Sequence, residues 1–276
     1  MIIDTHTHFY DPFLPQGVPF DPDDPVLYRR VLPEDCKALA IPEGVTGTVI
    51  VEASAWVEDN QWILDLAADE PFIVGFVGNL NPCDDSFKQH LDRFAANPIF
   101  RGIRPREHPW AREDPARILK AMEKLAEKDL ELDTGMTPIV AELAHQLPEL
   151  RIVINHCADI PIDGGPPDPA RVDRLRRAAE FPNVYCKVSG LMDLRSQVQP
   201  APTDLAFYTP VLDALWDTFG EDRLIYGSDW PVLDRSGRSY AEAQRLVHTY
   251  FSGKGEAALE KYFWKNSKAA YKWTPR

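Results

Sequence analysis

The sequence predicts an α/β fold in which eight parallel strands and their connecting helices form one (β/α)8 TIM barrel. Short apolar runs recur eight times along the chain, and helical patterns separate them. An open doubly wound sheet is the alternative, but no glycine-rich phosphate-binding loop follows any of the runs. Since a barrel commonly uses a chain of this length, 276 residues, we expect a single domain over residues 1–276.

The apolar runs have the composition of strands that are buried on both faces. Runs such as TVIVEA, FIVGFVGNL and RIVINH are rich in β-branched residues and almost continuously apolar. The eight predicted strands are Ile2–His8, Thr48–Ala53, Phe72–Leu80, Phe100–Arg104, Leu130–Thr134, Arg151–Cys157, Val184–Gly190 and Arg223–Asp229.

The segments between the strands carry apolar residues at helical spacing, and several open with proline, acidic or hydroxyl residues. The first connection, Phe9–Leu39, is instead rich in proline and aspartate, and we expect it to be a long loop that helps to cover a pocket. The predicted helices are Asp59–Glu70, Ser86–Ala96, Pro115–Lys128, Thr137–Leu147, Pro169–Glu180, Asp204–Phe219, Tyr240–Phe251 and Glu256–Tyr271.

Charge and composition narrow the class of partner. A net charge of -13 argues against a nucleic-acid binder and against an anionic membrane surface. The amino-terminal residues do not resemble a signal peptide, no apolar run is long enough for a membrane helix, and four scattered cysteines are typical of reduced thiols. We therefore expect a cytoplasmic protein with a small-molecule substrate. A homodimer would be ordinary for such a barrel, although no sequence feature marks an interface.

Polar or ionisable residues stand at the end of nearly every predicted strand. The carboxyl ends of barrel strands line the active site, so these side chains predict a catalytic pocket. They are His6, His8, Glu52, Asn79, Arg104, Asp133, His156, Lys187, Ser189 and Asp229.

Four of these residues are candidates for catalysis or metal binding. His6 and His8 are two residues apart on a strand, so they face the same side and could bind a metal such as zinc, or simply hydrogen-bond as a pair. Asp229 could ligate a metal, act as a general base toward water, or cap a turn. His156 could ligate a metal, polarise a substrate carbonyl, or be a core histidine.

Candidates for substrate binding are basic or aromatic. Arg104 and Arg106 share a side of their strand and could clamp a carboxylate, or be charges at the barrel rim. Lys187 could contact substrate or pair with an aspartate. Aromatic residues that could form a ring-binding floor are Trp56, Trp62, Trp110 and Trp230, although core packing is the expectation for Trp62.

The motifs IDTHTHFYDP, LPED, FIVGFVGNL, RGIR, VINH, NVYCKVSGL and YGSDWPV resemble the lactonase branch of the amidohydrolase superfamily, and the likeness runs through nearly the whole chain. That branch includes L-fuconolactonases, L-rhamnonolactonases and 2-pyrone-4,6-dicarboxylate lactonases. The resemblance implies a metal-dependent-hydrolase-like barrel that hydrolyses a lactone. It matches His6 and His8 to the first-strand histidine pair, His156 and Asp229 to the sixth- and eighth-strand residues, and Arg104 to the fourth-strand arginine.

The sequence departs from the motifs of the wider superfamily at several positions, and these differences limit what can be expected of its metal site and substrate. The fourth and fifth strands offer Arg104 and Asp133 where the resemblance would place a bridging metal ligand and a histidine, so we expect one divalent metal, zinc, or none. Pro105 replaces a histidine and 158–160 replaces a glycine–lysine stretch of the sugar lactonases that the chain resembles. Because both segments border the predicted pocket, the substrate is expected to differ.

The sequence thus favours a hydrolase in which Asp229 activates water and His156, a metal, or both polarise a lactone carbonyl. Two alternatives stay open at this point. One is a metal-dependent decarboxylase of an aromatic or muconate-type acid, which the resemblance also allows. The other is a barrel that binds a ligand without turnover.

Overall fold

A computed structural model describes residues 1–15, 17–106 and 114–276. Eight parallel strands follow one another around a sheet in chain order, which confirms the predicted barrel. Between the first and last strands, the Asp229 amide donates to the His6 carbonyl at 2.9 Å and the His8 amide to the Trp230 carbonyl at 3.0 Å. The strands are β1 (Ile3–Thr7), β2 (Gly47–Val51), β3 (Ile73–Gly78), β4 (Phe100–Ile103), β5 (Glu131–Thr134), β6 (Arg151–Ile154), β7 (Val184–Val188) and β8 (Leu224–Tyr226).

Helices connect the strands as predicted, with ends that differ from the sequence-based bounds by one to a few residues. Three of them begin after an aspartate whose side chain accepts from a backbone amide of the first turn, as N-caps do. The helices are α1 (Pro33–Ala40), α2 (Asp59–Ala68), α3 (Phe87–Ala95), α4 (Pro115–Glu127), α5 (Ile139–Gln146), α6 (Pro169–Ala179), α7 (Leu205–Phe219), α8 (Tyr240–Ser252), α9 (Glu256–Glu260) and α10 (Asn266–Tyr271).

Two segments differ from their predictions. The long first connection is not loop throughout, because its last part forms α1, which starts at Pro33 and buries Cys36 and Ala40. Eight residues with only three buried positions are too few for a helical period to stand out. The predicted terminal helix is divided, since a π-helical turn at Lys261–Lys265 separates α9 from α10.

The carboxyl-terminal residues lie at the amino ends of the strands. Arg101 and Arg151 donate to the carbonyls of Tyr271 and Ala270, and the Thr274 amide donates to the Val74 carbonyl at 2.9 Å. Tyr271 and Trp273 also pack in an apolar cluster with strand residues. This end of the barrel is therefore covered, and the opposite end carries the site.

Two further expectations can be compared with the structure. Among the described helices, none combines the length and apolar character that crossing a membrane requires. Cys36, Cys157 and Cys186 are buried free thiols, as their scattered positions predict.

Candidate active site

Three histidines converge on one aspartate at the carboxyl end of the barrel. His6 Nε2 and His8 Nε2 lie 3.4 and 3.3 Å from Asp229 Oδ1, and His156 Nδ1 lies 3.8 Å from Asp229 Oδ2. The His6 ring is 5.0 Å from that of His8 and 4.4 Å from that of His156. The structure therefore brings together the four residues that the sequence singled out for catalysis or metal binding.

Strained backbone carries two of these side chains. Asp229 follows β8 with a φ of 63°, and His156 begins a turn after β6 in which residues 156–159 all have φ between 47° and 58°. For residues other than glycine, such a conformation costs about 1–3 kcal/mol. The strained conformation persists where the surrounding structure imposes it, which is often at functional sites. Gly190 fits against this turn, because a Cβ there would lie 3.0 Å from His156 Nδ1.

The three imidazoles are neutral at neutral pH. Burial, followed by the positive charge of Lys187, holds the pKa of His6 well below its ordinary value. Burial, followed by Arg104, lowers the pKa of His8 to about 3 and brings the pKa of His156 well below its usual range. Neutral imidazole keeps a nitrogen lone pair, which both metal ligation and proton transfer need.

Asp229 is buried, and a second carboxylate, Asp193, contacts it. Burial raises the pKa of Asp229 to about 6, and burial together with the Asp229 charge raises the pKa of Asp193 well above its ordinary value. Neither oxygen of Asp193 has a donor within the described part of the chain. Sequence reasoning missed Asp193, which lies on a π-helical turn, Leu191–Arg195, after β7.

A cavity of about 270 Å³ opens beside His156, which is the member of the histidine–aspartate group that lines it. Arg104 and Arg106 line it, as their strand positions predict, but both are engaged with Glu52. The Nε of Arg104 donates to Glu52 Oε1 at 2.9 Å, the Nε of Arg106 donates to Oε2, and Glu52 is 1% exposed. The two guanidinium groups are therefore partly neutralised.

Two residues predicted to bind substrate are placed elsewhere. Lys187 is fully buried and does not line the cavity, since its Nζ donates to Asp133 Oδ2 at 2.9 Å and contacts His6 Nδ1 at 3.1 Å. Trp230 is 1% exposed and lies under Arg29 rather than on the cavity wall. Neither side chain reaches the cavity in this structure, so a contact of either with substrate stays a prediction.

The other tryptophan candidates are not found on the described cavity wall either. Trp56 is 43% exposed and is absent from the cavity wall, and Trp110 lies outside the described residues.

The site fits a divalent metal. The His8 Nδ1–H donates to the Val51 carbonyl at 2.9 Å, so neutral His8 has a bare lone pair on Nε2, and this lone pair faces the carboxylate oxygen Asp229 Oδ1. Two acceptors in contact call for a cation between them, and the backbone hydrogen bond is one that metal-binding histidines commonly make. Ligand atoms of His6, His156 and Asp229 also lie within 4.8 Å of one another.

Arg104 competes with metal for His6. Its Nη1 lies 2.9 Å from His6 Nε2, while Lys187 approaches the other ring nitrogen. A neutral imidazole accepts at one nitrogen only, so His6 Nε2 becomes a metal ligand only after Arg104 withdraws. His8 and Asp229 are therefore the ligand pair that this geometry presents most directly.

Together, the barrel and its group of three histidines and one aspartate define a hydrolase-type TIM barrel whose site could hold a metal. The chain belongs to the amidohydrolase family, whose model matches residues 3–273. A protein of Burkholderia ambifaria named L-fucono-1,5-lactonase is 34% identical, with 85% of this chain and 82% of the relative covered.

Two more proteins extend the comparison. An L-fucono-1,5-lactonase of Burkholderia multivorans is 27% identical over 97% of this chain and 94% of its own length. The crystal structure of an amidohydrolase from the same species, with bound zinc, has a TM-score of 0.80 and 24% identity over 99% of both chains. This last likeness supports the fold.

Proposed function

We propose that this protein hydrolyses a sugar lactone to the corresponding hydroxy acid, with Asp229 as the general base. The observation that supports this most strongly is the arrangement of three neutral histidines around one buried carboxylate beside an open cavity. The lactonase name of the 34% identical relative points to the same reaction.

Asp229 would remove a proton from the attacking water. Its raised pKa, about 6, makes it a stronger base than an exposed carboxylate while it stays ionised at neutral pH. Water oxygen bonds to the lactone carbonyl carbon, the ring C–O bond then breaks, and Asp229 returns its proton to the leaving alkoxide. The products are one carboxylic acid and one hydroxyl on the same molecule. The acid then ionises by releasing its proton to solvent, so atoms and charge balance with water as the co-reactant.

His156 would orient and polarise the carbonyl. Ser189 Oγ lies 3.0 Å from His156 Nδ1, and if Ser189 donates there, the Nε2–H of His156 is free to donate to the carbonyl oxygen. Removing one such donor from a site that stabilises a developing oxyanion typically costs about 100-fold or more in kcat.

The proposal includes one divalent metal, zinc, held by His8 and Asp229 with His6 and His156 beside them. When bound, the metal supplies Lewis-acid polarisation of the carbonyl. The zinc in the Burkholderia multivorans structure belongs to that protein and is the reason to test this ion first.

Product analysis on purified wild-type protein tests the proposal. The protein is incubated with L-fucono-1,5-lactone and with an aromatic carboxylic acid, with and without chelator. Proton release and the ring-opened acid, without carbon dioxide, are the expected result. Carbon dioxide from the aromatic acid, with no lactone opened, would contradict lactone hydrolysis and support decarboxylation.

A further inference from the structure

The turn that carries His156 consists of four consecutive residues in the left-handed conformation. Residues 156–159 have φ values of 47°, 53°, 56° and 58°, and none of them is glycine. Residues with a side chain adopt this conformation singly rather than in a row, because each Cβ comes too close to the following carbonyl oxygen. Such a run persists only where neighbouring parts of the chain hold it.

Asp159, the last residue of this turn, makes contacts that can hold it. Its Oδ2 accepts from the Met136 amide, shortly after β5, at 3.2 Å, and its Oδ1 accepts from Arg195 Nη1 at 3.0 Å. Its carbonyl accepts from Arg171 Nη1 on α6 at 3.2 Å. The connections that follow β5, β6 and β7 therefore meet at one residue.

Asp159 also lines the cavity, so a direct contact with substrate is the competing explanation for this carboxylate. Its side chain is 43% exposed, and an ion pair as open as this one adds little to the stability of the fold. Both of its oxygens are nevertheless engaged, and the backbone packs closely on one of them, because a Cβ on Gly135 would lie 3.0 Å from Oδ2. These contacts fix the direction of the turn more than they stabilise the whole molecule.

We infer that Asp159 is a positioning residue that clasps the turn of His156 between the connections after β5 and β7. It acts on the reaction through His156, so the inference rests on the proposed function. Arg195 belongs to the same π-helical turn as Asp193, and the clasp ties that turn to the turn of His156 as well. Without the clasp, His156 moves away from the place where it donates to the carbonyl oxygen, and a displacement of about 1 Å can cost about 100-fold in rate.

The test compares Asp159→Ala with a matched control at the other end of the barrel. Asp129 is also left-handed, with a φ of 57°, and its carboxylate also pairs with an arginine, Arg151, while its side chain is 54% exposed. Asp129→Ala therefore removes the same kind of residue at a position that does not line the cavity. Asp159→Asn is the conservative variant, because asparagine keeps one acceptor and tolerates the left-handed backbone.

With L-fucono-1,5-lactone, kcat of Asp159→Ala should fall about tenfold or more while KM stays within about twofold of wild type. Asp129→Ala should keep both constants, and kcat of Asp159→Asn should lie between those of wild type and Asp159→Ala. A rise in KM at unchanged kcat would make Asp159 a substrate contact and overturn the inference. Wild-type constants in Asp159→Ala, or an equal loss of kcat in Asp129→Ala, would overturn it as well.

A second readout does not depend on turnover. The imidazole nitrogen NMR signals of His156, identified by their loss in His156→Ala, report the surroundings of the ring. They should shift in Asp159→Ala and stay in place in Asp129→Ala, and unmoved signals in Asp159→Ala would overturn the positioning role. If the wild type opened no lactone, the proposed function would fail, and these signals would still decide whether Asp159 holds the turn.

Discussion

At the scale of single residues, the site combines buried charges that are paired with buried groups that are not. His8 Nε2 and Asp229 Oδ1 are two acceptors in contact, and neither oxygen of Asp193 has a donor among the described residues. Lys187 and Asp133, by contrast, form a fully buried ion pair in which Asp133 also accepts from the Tyr271 hydroxyl at 2.8 Å. His6 packs directly on this pair through its Nδ1.

Lys187→Met should destabilise the fold by about 3 kcal/mol or more, because it leaves the Asp133 charge buried and unpaired. Adding Asp133→Asn removes that charge while keeping an acceptor for Tyr271. The double variant should therefore be more stable than Lys187→Met alone. Urea denaturation measures both, and equal stability of Lys187→Met and wild type would show that the pair is not important for folding.

Asp59, on the first turn of α2, predicts a pH effect on stability. Burial, followed by the charge of Glu52, raises the pKa of Asp59 to about 7. The folded state thus holds a proton that the unfolded state has lost, so this group contributes stability at low pH that disappears as pH rises from about 4 to about 7, at about 1.4 kcal/mol per pKa unit.

Asp59→Asn should remove that dependence. The variant gains most over wild type at pH 8 and less at pH 5, and thermal unfolding at the two pH values measures the difference. A gain that is the same at both values would contradict the raised pKa.

Sequence reasoning identified residues but not their partners. His6, His8, His156 and Asp229 stand at strand ends, so barrel geometry alone predicts that they meet. Lys187 also stands near a strand end, but its side chain points below the cavity to Asp133, a choice that depends on packing. Neither a motif nor a strand end marks Asp193, and only the backbone path of the π-helical turn brings it to Asp229.

At the scale of elements, the turns after the strands shape the site. The turn at Gly190 has φ 61° and abuts the left-handed turn of His156. The sequence NVYCKVSGL predicts a strand and where it ends. It does not predict that the turn at Gly190 packs against the turn of His156. Helix α1 was not predicted for a similar reason, because a helix this short shows no clear periodicity of apolar residues.

Gly190→Ala tests this fit. The methyl group adds strain of about 1–2 kcal/mol at a positive φ and also meets His156, so kcat should fall at least tenfold. Gly44→Ala is the control, since its φ of 83° is also left-handed but its Cβ would come no closer than 3.8 Å to any neighbour.

Both variants should lose stability through the left-handed backbone, Gly190→Ala more because of its close contacts, and only Gly190→Ala should lose turnover. Thermal unfolding and steady-state kinetics measure the two effects separately. If both variants kept full kcat, the turn would not position His156.

At the scale of the whole molecule, alternation of strands and helices was sufficient to predict the barrel, because parallel strands need crossovers and eight of them close. Covering one end of the barrel with the carboxyl-terminal segment directs ligands to the other end. The substrate is harder to predict from the sequence. Packing decides which polar groups that line the cavity pair with one another and which stay available to a ligand.

Metal binding should appear as a property of the folded molecule. Elemental analysis of zinc-loaded protein should give about one zinc per chain, and chelation should lower Tm by several degrees, because a ligand at 100 times its Kd stabilises by about 2.7 kcal/mol. His8→Ala should lose both effects. His145→Ala, an exposed histidine on α5, is the control and should keep them. Equal zinc content in His8→Ala and wild type would remove His8 from the ligand set.

The most direct test of lactone hydrolysis at this site is the turnover of L-fucono-1,5-lactone by Asp229→Asn. The amide keeps the size of the side chain but cannot accept the proton of the attacking water. Wild type should release acid, and kcat of the variant should fall by about 10³-fold while its thermal unfolding stays cooperative. Near-normal turnover by Asp229→Asn would contradict the role of Asp229 as the general base.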